Sequence, residues 1–531
     1  MKKYLIAAII LYFLKMASSF GQPVIIWDKV YGSYSDDWGQ QIVALEDGGC
    51  AFSARPYIGG DGNVPEARGG ARDVWGGRLD ANGNLMWSRI FGGSKEDLAG
   101  PVLKTDDGGV IFQYFTESDD YDIPERIGGD WDGVFHKINA DGQTAWIKLF
   151  GCTENELGYG QQIPNGNYLM YLNFGKNDGT LADLPDSVRS AVIEFDQQAH
   201  AVWKAPVTFQ PGSDQGFHTN VAPTSDGGFV FGVDTDENPD NQGETDLCIW
   251  RFSGEKKLLW KKCYGGEDDD YSKEILQLPD GRFAVAGQTR SKNWHITNYH
   301  GGTDIWLLLL DKDGNLVSER AIGGSALDIF YKILLSKDGK SVFLLGTTFS
   351  NDGDVSYYHG SVDIWLIKVD INTNKIVWEK TYGSSIGQES AVDMSYSPDG
   401  SLIVLGEVRG GGQDGDVTDP TYSGSRWDLW IFKLAPEEIL AAADCGSFNI
   451  APNPTAGNSF EITFPNLLEI NPEIKIFDIR GAMVAHYPEV PLQSTWKTTL
   501  DLPGDTPAGV YVVQVYGCNE TPQVGKFLKI N

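Results

Sequence analysis

Between residues 24 and 434 short apolar runs alternate with turn residues, and the alternation repeats with a long period. Trp27, Trp87, Trp146, Trp203, Trp260, Ser318 and Trp378 occupy one repeat position, at successive spacings of 57 to 60 residues. Asp73, Asp132, Asp246, Asp304, Asp363 and Asp428 form a second ladder in the same phase, with Arg189 at that place in the third copy. Two ladders in one phase define seven copies of one unit. A unit of this size is too long for most solenoid coils and accommodates four short strands, which is one blade of a β-propeller.

The sixth copy shows how the unit is built. Residues 329–336, 341–347 and 364–369 read as strands, and Asp338-Gly339 separates the first two. The same turn stands at Asp47-Gly48, Asp107-Gly108, Asp226-Gly227, Asp280-Gly281 and Asp399-Gly400, with Asn165-Gly166 in the third copy. Asp-Gly and Asn-Gly supply the positive-φ residues that tight hairpins require. A second hairpin turn recurs at Asn82-Gly83, Asp141-Gly142 and Asp313-Gly314.

The two ends of the array are out of phase. Residues 24–31 have the pattern that elsewhere partners a Leu-Trp-Ile-x-Lys-Leu strand, yet no such strand precedes them, and residues 429–434, Leu-Trp-Ile-Phe-Lys-Leu, have no partner after them. Pairing the two closes a circle and removes two exposed sheet edges. The expectation is an all-β chain: a seven-bladed β-propeller of four-stranded blades, one blade shared between the two ends, over residues 22–434. Flat Trp side chains at one place in every blade are expected to fill the wedge between sheets. The Asp ladder is expected to cap turns by accepting backbone N–H groups.

The longest connection in each unit lies between the third and fourth segments and is rich in Asp. It contains Asp352-Gly353-Asp354-Val355 in the sixth copy and Asp414-Gly415-Asp416-Val417 in the seventh, with echoes at Asp61-Gly62-Asn63-Val64 and Asp119-Asp120-Tyr121-Asp122-Ile123. Strand parity puts these loops on the same face as the Gly-Gly loops that carry Asp37, Asp97, Asp270 and Asp328. Clustered oxygens on Gly-bent backbone suit calcium, so Asp352, Asp354, Asp414 and Asp416 are candidate ligands for a metal or another ligand. The competing reading is a set of self-capping Asx turns, since none of these loops has the full twelve-residue calcium pattern with its closing Glu.

Composition narrows the partners. The 531-residue chain carries a formal charge of −31, with 64 Gly, 16 Trp and 7 His. Residues 1–21 hold two early lysines, an apolar run and small residues at Ser19 and Gly21, the layout of a cleaved secretory signal; removing Lys2, Lys3 and Lys15 takes the charge to −34. No later stretch is long and apolar enough to read as a transmembrane segment. Strong acidity argues against nucleic acid or anionic lipid and favours neutral ligands, divalent cations or simple solubility. Two Cys pairs are candidate disulfides in an oxidising compartment: Cys248 with Cys263, on one predicted hairpin, and Cys445 with Cys518, both in the last hundred residues. His300 and His359 share a repeat position, but no His pair has metal-ligand spacing. No nucleophile elbow, phosphate loop or Cys-x-x-Cys appears, so nothing nominates a catalytic residue.

After residue 435 the pattern changes to a small-residue linker (435–447) and a separate unit (448–531). That unit contains Asn449-Ile450-Ala451-Pro452-Asn453-Pro454-Thr455-Ala456-Gly457, then 474–484 with Asp478 and Gly481, then Thr506-Pro507-Ala508-Gly509-Val510-Tyr511, and finally Lys526-Phe527-Leu528-Lys529. Alternating apolar runs with these turns predict a small antiparallel sandwich. Over its whole length the tail resembles the type A C-terminal sorting domain of type IX secretion, on those four motifs in order. The resemblance implies recognition by the type IX machinery at the outer membrane of Bacteroidetes-type bacteria, and removal of the tail as the cargo is released or fixed to the surface.

The functional expectation is an exported, extracellular or surface-attached binding or adhesion module whose loop face meets a glycan or protein. The alternative is an extracellular polysaccharide-acting hydrolase or lyase, which would break the repeat at its active site.

Overall fold

Each hairpin turn does what its sequence requires: Gly48, Gly108, Gly166, Gly227, Gly281, Gly339 and Gly400 all have φ between +68° and +92°. A computed structural model describes residues 23–436 apart from 58, 71, 155, 164, 208–220, 236–242, 256, 411–413 and 423. In the tail it describes 449–451, 458–463, 473–478, 483–487, 497–504, 506–516 and 523–529. The expected signal at 1–21 lies outside the described residues.

Seven four-stranded antiparallel sheets follow one another from Ile25 to Leu434. The first strands of the sheets are Asp37–Ala44, Asp97–Lys104, Glu156–Gln162, Val221–Pro223, Asp270–Gln277, Asp328–Leu335 and Gln388–Tyr396. Each neighbours the next, and the last neighbours the first, so these strands surround the axis and the ring is closed. The fourth strand of each blade is then outermost. In the seventh blade that outer strand is Ile25–Tyr31, paired antiparallel with Trp427–Leu434 in the register Val30 to Trp430 and Lys29 to Ile431.

Side chains stitch the inner strands together. A β-bulge interrupts the first, fifth, sixth and seventh of them, and the residue after each bulge turns toward the following blade. Gln41 accepts the Val102 N–H (3.0 Å), Glu274 that of Ile333 (2.7 Å) and Asp393 that of Ile42 (3.0 Å). Lys332 completes the row with its ammonium 2.7 Å from Glu274 and 3.6 Å from Asp393.

Two Trp ladders lock the blades at different depths. The outer-strand ladder read from the sequence is half-buried except at Trp378 and clasps the neighbouring blade: Trp27 Nε1 donates to Ala81 O (3.0 Å) and Trp260 Nε1 to Lys312 O (3.1 Å). The fully buried ladder is on the third strand and comprises Trp75, Trp306, Trp365 and Trp430. Each of these indoles donates to the outer strand of its own blade: Trp75 to Ser88 (2.8 Å), Trp306 to Glu319 (3.1 Å), Trp365 to Glu379 (2.7 Å) and Trp430 to Asp28 (3.2 Å). In the fourth blade the place of the third-strand Trp is taken by Cys248, which is disulfide-bonded to Cys263 directly across the pair of strands (Cα–Cα 4.0 Å). The corresponding pair in the fifth blade is Trp306 and Ala321.

The tail is a β-sandwich. A three-stranded sheet (Asn449–Ala451, Ser459–Thr463, Lys497–Asp501) and a four-stranded sheet (Met483–Tyr487, Glu473–Asp478, Gly509–Tyr516, Gln523–Lys529) share one core of Phe460, Ile462, Ile474, Ile476, Leu500, Tyr511, Val513 and Val515.

Candidate binding face

The connections leaving the second strands and those entering the first strands lie on one face of the ring, and their acids are tied to the protein's own backbone. Asp352 Oδ1 accepts the Ser325 N–H (2.7 Å), and Asp414 Oδ1 accepts that of Ser385 (3.0 Å). Asp61, Asp120, Asp178 and Asn293 make the equivalent bond at 2.7–3.1 Å, so the first Asx of the loop fastens the connection that enters its own blade. After the next two residues an apolar side chain plugs inward: Val64, Ile123, Ile296, Val355 and Val417 are all buried. Ser356 and Thr418 follow the plug and donate to Glu379 and Asp28, the carboxylates that also hold Trp365 and Trp430.

The second acid of the loop is a latch between blades. Asp354 is 3.0 Å from Arg320 Nη2 and 3.9 Å from His300 Nε2; Asp416 is 3.5 Å from His359 Nε2. At the same place Asp122 pairs with Arg68, and Asn63 accepts from the Tyr422 hydroxyl. Burial raises Asp416, with His359 and Lys380 opposing. The candidate ligands Asp352, Asp354, Asp414 and Asp416 therefore sit in two separate blades, each engaged by a group of the chain. Among the described residues no three His, Cys, Asp or Glu side chains form a group that could hold a metal ion.

Beneath the loops, the junctions at Gly32, Gly92, Gly265, Gly323 and Gly383 each set a glycine against a buried carboxylate. A Cβ built on Gly32 would stand 2.0 Å from Asp428 Oδ1 and 3.0 Å from Asp37 Oδ2; on Gly323 it would be 2.5 Å from Asp304 and 2.7 Å from Asp328. Any side chain there collides with a carboxylate, which is why the Tyr-Gly and Ile-Gly steps recur. Asp428 accepts from Tyr422 N–H (2.9 Å), Asp304 from His300 N–H (2.8 Å) and Asp73 from Arg68 N–H (2.8 Å), the turn-capping role expected of this ladder, and Asp37 and Asp328 cap in the same way, from Ser33 N–H (2.6 Å) and Gly324 N–H (2.7 Å). Burial pushes Asp37 and Asp428 up to about 7, and Asp73, Asp97, Asp270 and Asp304 up to about 6. Arg189, which replaces the acid in the third blade, inverts the bond and donates to the carbonyls of Asp186 and Val188 (2.7 Å each).

What the face presents outward is aromatic. Tyr34, Tyr57, Tyr121, Trp294 and Tyr357 are each about two-thirds exposed. Two of them occupy a special backbone position. The residue after the first Asx is Gly62, Gly179, Gly353 and Gly415 in the first, third, sixth and seventh blades, with φ from +54° to +67°. It is Tyr121 (φ +52°) in the second and Trp294 (φ +61°) in the fifth. A non-glycine residue there costs about 1 kcal/mol or more. The Tyr121 ring is covered by the Arg68 guanidinium at 5.4 Å. Sequence reading does not single out Trp294; the available signal is its alignment with a glycine of the other copies.

In the tail, Asp478 ends a strand opposite Tyr511, and Lys526 lies opposite Val512. The Pro507-Ala508-Gly509 turn is bracketed by the chain: Tyr511 OH donates to Pro507 O (2.6 Å) and the Lys529 ammonium to Thr506 O. Pro452, Asn453, Pro454, Gly457 and Gly481, and the candidate pair Cys445 and Cys518, lie outside the described residues.

Residues 449–529 match the family model of the secretion system C-terminal sorting domain. That tail places the protein on the type IX secretion route, which delivers it to the extracellular space or the cell surface. Among the described residues no helix is long and apolar enough to cross a membrane. No curated protein matches the chain. Among solved structures it is similar to a protein of unknown function from Bacteroides caccae, at 13% identity and TM-score 0.35, over 58% of this chain and 89% of that one. It is also similar to quinohemoprotein alcohol dehydrogenase from Comamonas testosteroni (12%, TM-score 0.36, 78% and 76%). A puromycin-hydrolyzing peptidase of Mycobacterium tuberculosis is a third (12%, TM-score 0.38, 86% and 64%).

Proposed function

We propose that the exported ring is a binding or adhesion module, and that its loop face receives a glycan or protein ligand. The leader at 1–21 is removed on export, and the linker at 435–447 joins the ring to its sorting tail. The observation that carries this reading is the division of labour on the face. The candidate acids Asp352, Asp354, Asp414 and Asp416 are engaged in turns and latches, while aromatic rings are held outward on a stitched scaffold. Binding on such a surface needs no reacting group, whereas a hydrolase needs carboxylates that reach a substrate. A glycan array with the purified secreted protein, followed by product analysis on each hit, separates the two. Retention of intact polysaccharide is the expected result, and shortened chains would replace this reading with the enzymatic one.

A further inference from the structure

Resting on that reading, we infer that the loop face of the fifth blade carries a saccharide site whose anchor is Trp294, and that its ligand is a neutral polysaccharide. The loop around Trp294 is fixed on every side but one. Asn293 Oδ1 accepts the Glu267 N–H (3.1 Å), and His295 Nδ1 lies 3.1 Å from Gly265 O with its ring edge-on to Tyr264 at 5.4 Å. Ile296 is buried, and Thr297 N–H donates to Glu319 (3.0 Å), the carboxylate that holds Trp306. Only the indole of Trp294 is left outward, 62% exposed, at the left-handed position that four other blades fill with glycine. A chain that tolerates this backbone for a ring left mostly to solvent retains the ring for a contact outside the molecule.

The chemistry of the replacement selects the ligand. Where the sixth and seventh blades read Asp-Gly-Asp, the fifth reads Asn293-Trp294-His295: both carboxylates of the unit are gone and an aromatic has been gained. The buried plug Ile296 and the Asn293 bond to the entering connection are kept, so the position that changes toward solvent is Trp294. A lone flat ring with polar neighbours is far smaller than a stable protein interface, which buries on the order of 800 Å² per partner. It matches one pyranose, whose C–H face carries positive edges that seek the electron-rich face of an indole. The overall charge of the chain opposes an anionic sugar. Tyr121, the other aromatic at this position, keeps both flanking acids and its Arg68 cover, and is excluded as an equivalent site.

The test uses the full secreted chain in affinity electrophoresis through gels containing mannan, β-glucan, xylan or galactan, with polygalacturonate as the anionic comparison. Wild type, Trp294→Gly, Trp294→Phe and Tyr121→Gly are run side by side, and the melting temperature of each is recorded. The expected result is retardation by at least one neutral polysaccharide, weakened about tenfold or more in Trp294→Gly, as when a central aromatic anchor is lost. Trp294→Phe and Tyr121→Gly retain it, and Trp294→Gly melts no lower than wild type because it restores the residue the backbone favours. Neutral-polysaccharide binding that Trp294→Gly leaves intact overturns the site while sparing the binding-module reading. Retardation by polygalacturonate alone overturns the ligand class. No retardation in any gel overturns the inference, and failure to bind on the array as well overturns the glycan arm of the module.

Discussion

His359 of the sixth blade reaches across the junction to Asp416 of the seventh, with Nε2 3.5 Å from Oδ2. The same imidazole has Asp363 on its other side (Nδ1 to Oδ2 3.4 Å), and Glu389 and Lys380 complete the charged surroundings. Burial works to lower the His359 pKa, but Asp363, Asp416 and Glu389 outweigh it and the net shift is upward.

Stability of the ring is therefore expected to fall as pH rises from mildly acid to alkaline. Burial raises Glu389, Asp37 and Asp428 to about 7, and Asp73, Asp97, Asp270 and Asp304 to about 6. A group whose folded pKa exceeds its unfolded one binds its proton more tightly when folded, so its contribution is complete below the unfolded value and lost through the folded value. For the aspartates that window opens near 3.8; for His359 it opens near 6.5. Asp107 and Asp399 work the other way: burial raises them, but Lys137 and Lys433 hold them down at about 2, and they lose their contribution only as pH falls below 3.8. Melting temperature scanned from pH 4.5 to 8.5 should decline across the range, and less steeply in Glu389→Gln. A rising curve would contradict the junction chemistry.

Calcium is expected to leave the melting temperature where it is. Asp352 and Asp414 are bound to backbone amides, and Asp354 and Asp416 to Arg320 and His359 of the preceding blade. Differential scanning fluorimetry with millimolar calcium against chelator tests this, with Asp416→Asn as the control. A rise of several degrees with calcium that disappears in the variant would make these loops a metal site.

Two of the donors to Glu379 are Trp365 Nε1 at 2.7 Å and Ser356 N–H at 3.1 Å. Glu379→Leu leaves the buried Trp365 N–H unpartnered and the exposed Ser356 N–H to solvent, and should cost about 1–3 kcal/mol in urea unfolding. Glu379→Gln, whose amide oxygen still accepts, should cost about 1 kcal/mol.

The Cys248–Cys263 disulfide closes a loop of 15 residues. Replacing both with Ser should lower stability by about 3 kcal/mol, and reductant should reproduce the loss in wild type but not in the variant.

The repeat, the Asp-Gly hairpins and the fit of the two orphan strands were legible because each is a local pattern copied in phase. Which strand faces the axis was not, since an inner and an outer strand of one blade have the same period. The role of Asp354 and Asp416 was hidden for a different reason. Their partners lie in the preceding blade and change identity from Arg68 to His300, His359 and Tyr422, so no ladder marks them. The pairing of Cys248 with Cys263 depends on a bulge at Arg251 and Phe252 that sets the hairpin register. Trp294 was hidden because a positive φ is a property of the fold, read only when the glycines of the other copies are superposed on it.

The scaffold that holds Trp294 outward exists only if Ile25–Tyr31 seals the ring against Trp427–Leu434. Hydrogen–deuterium exchange on the full chain reads this directly. The amides of residues 25–31 should be protected as strongly as those of the corresponding outer strand, Lys375–Tyr382 in the sixth blade. Rapid exchange in 25–31 together with exposure of 427–434 would show an open array and contradict the account.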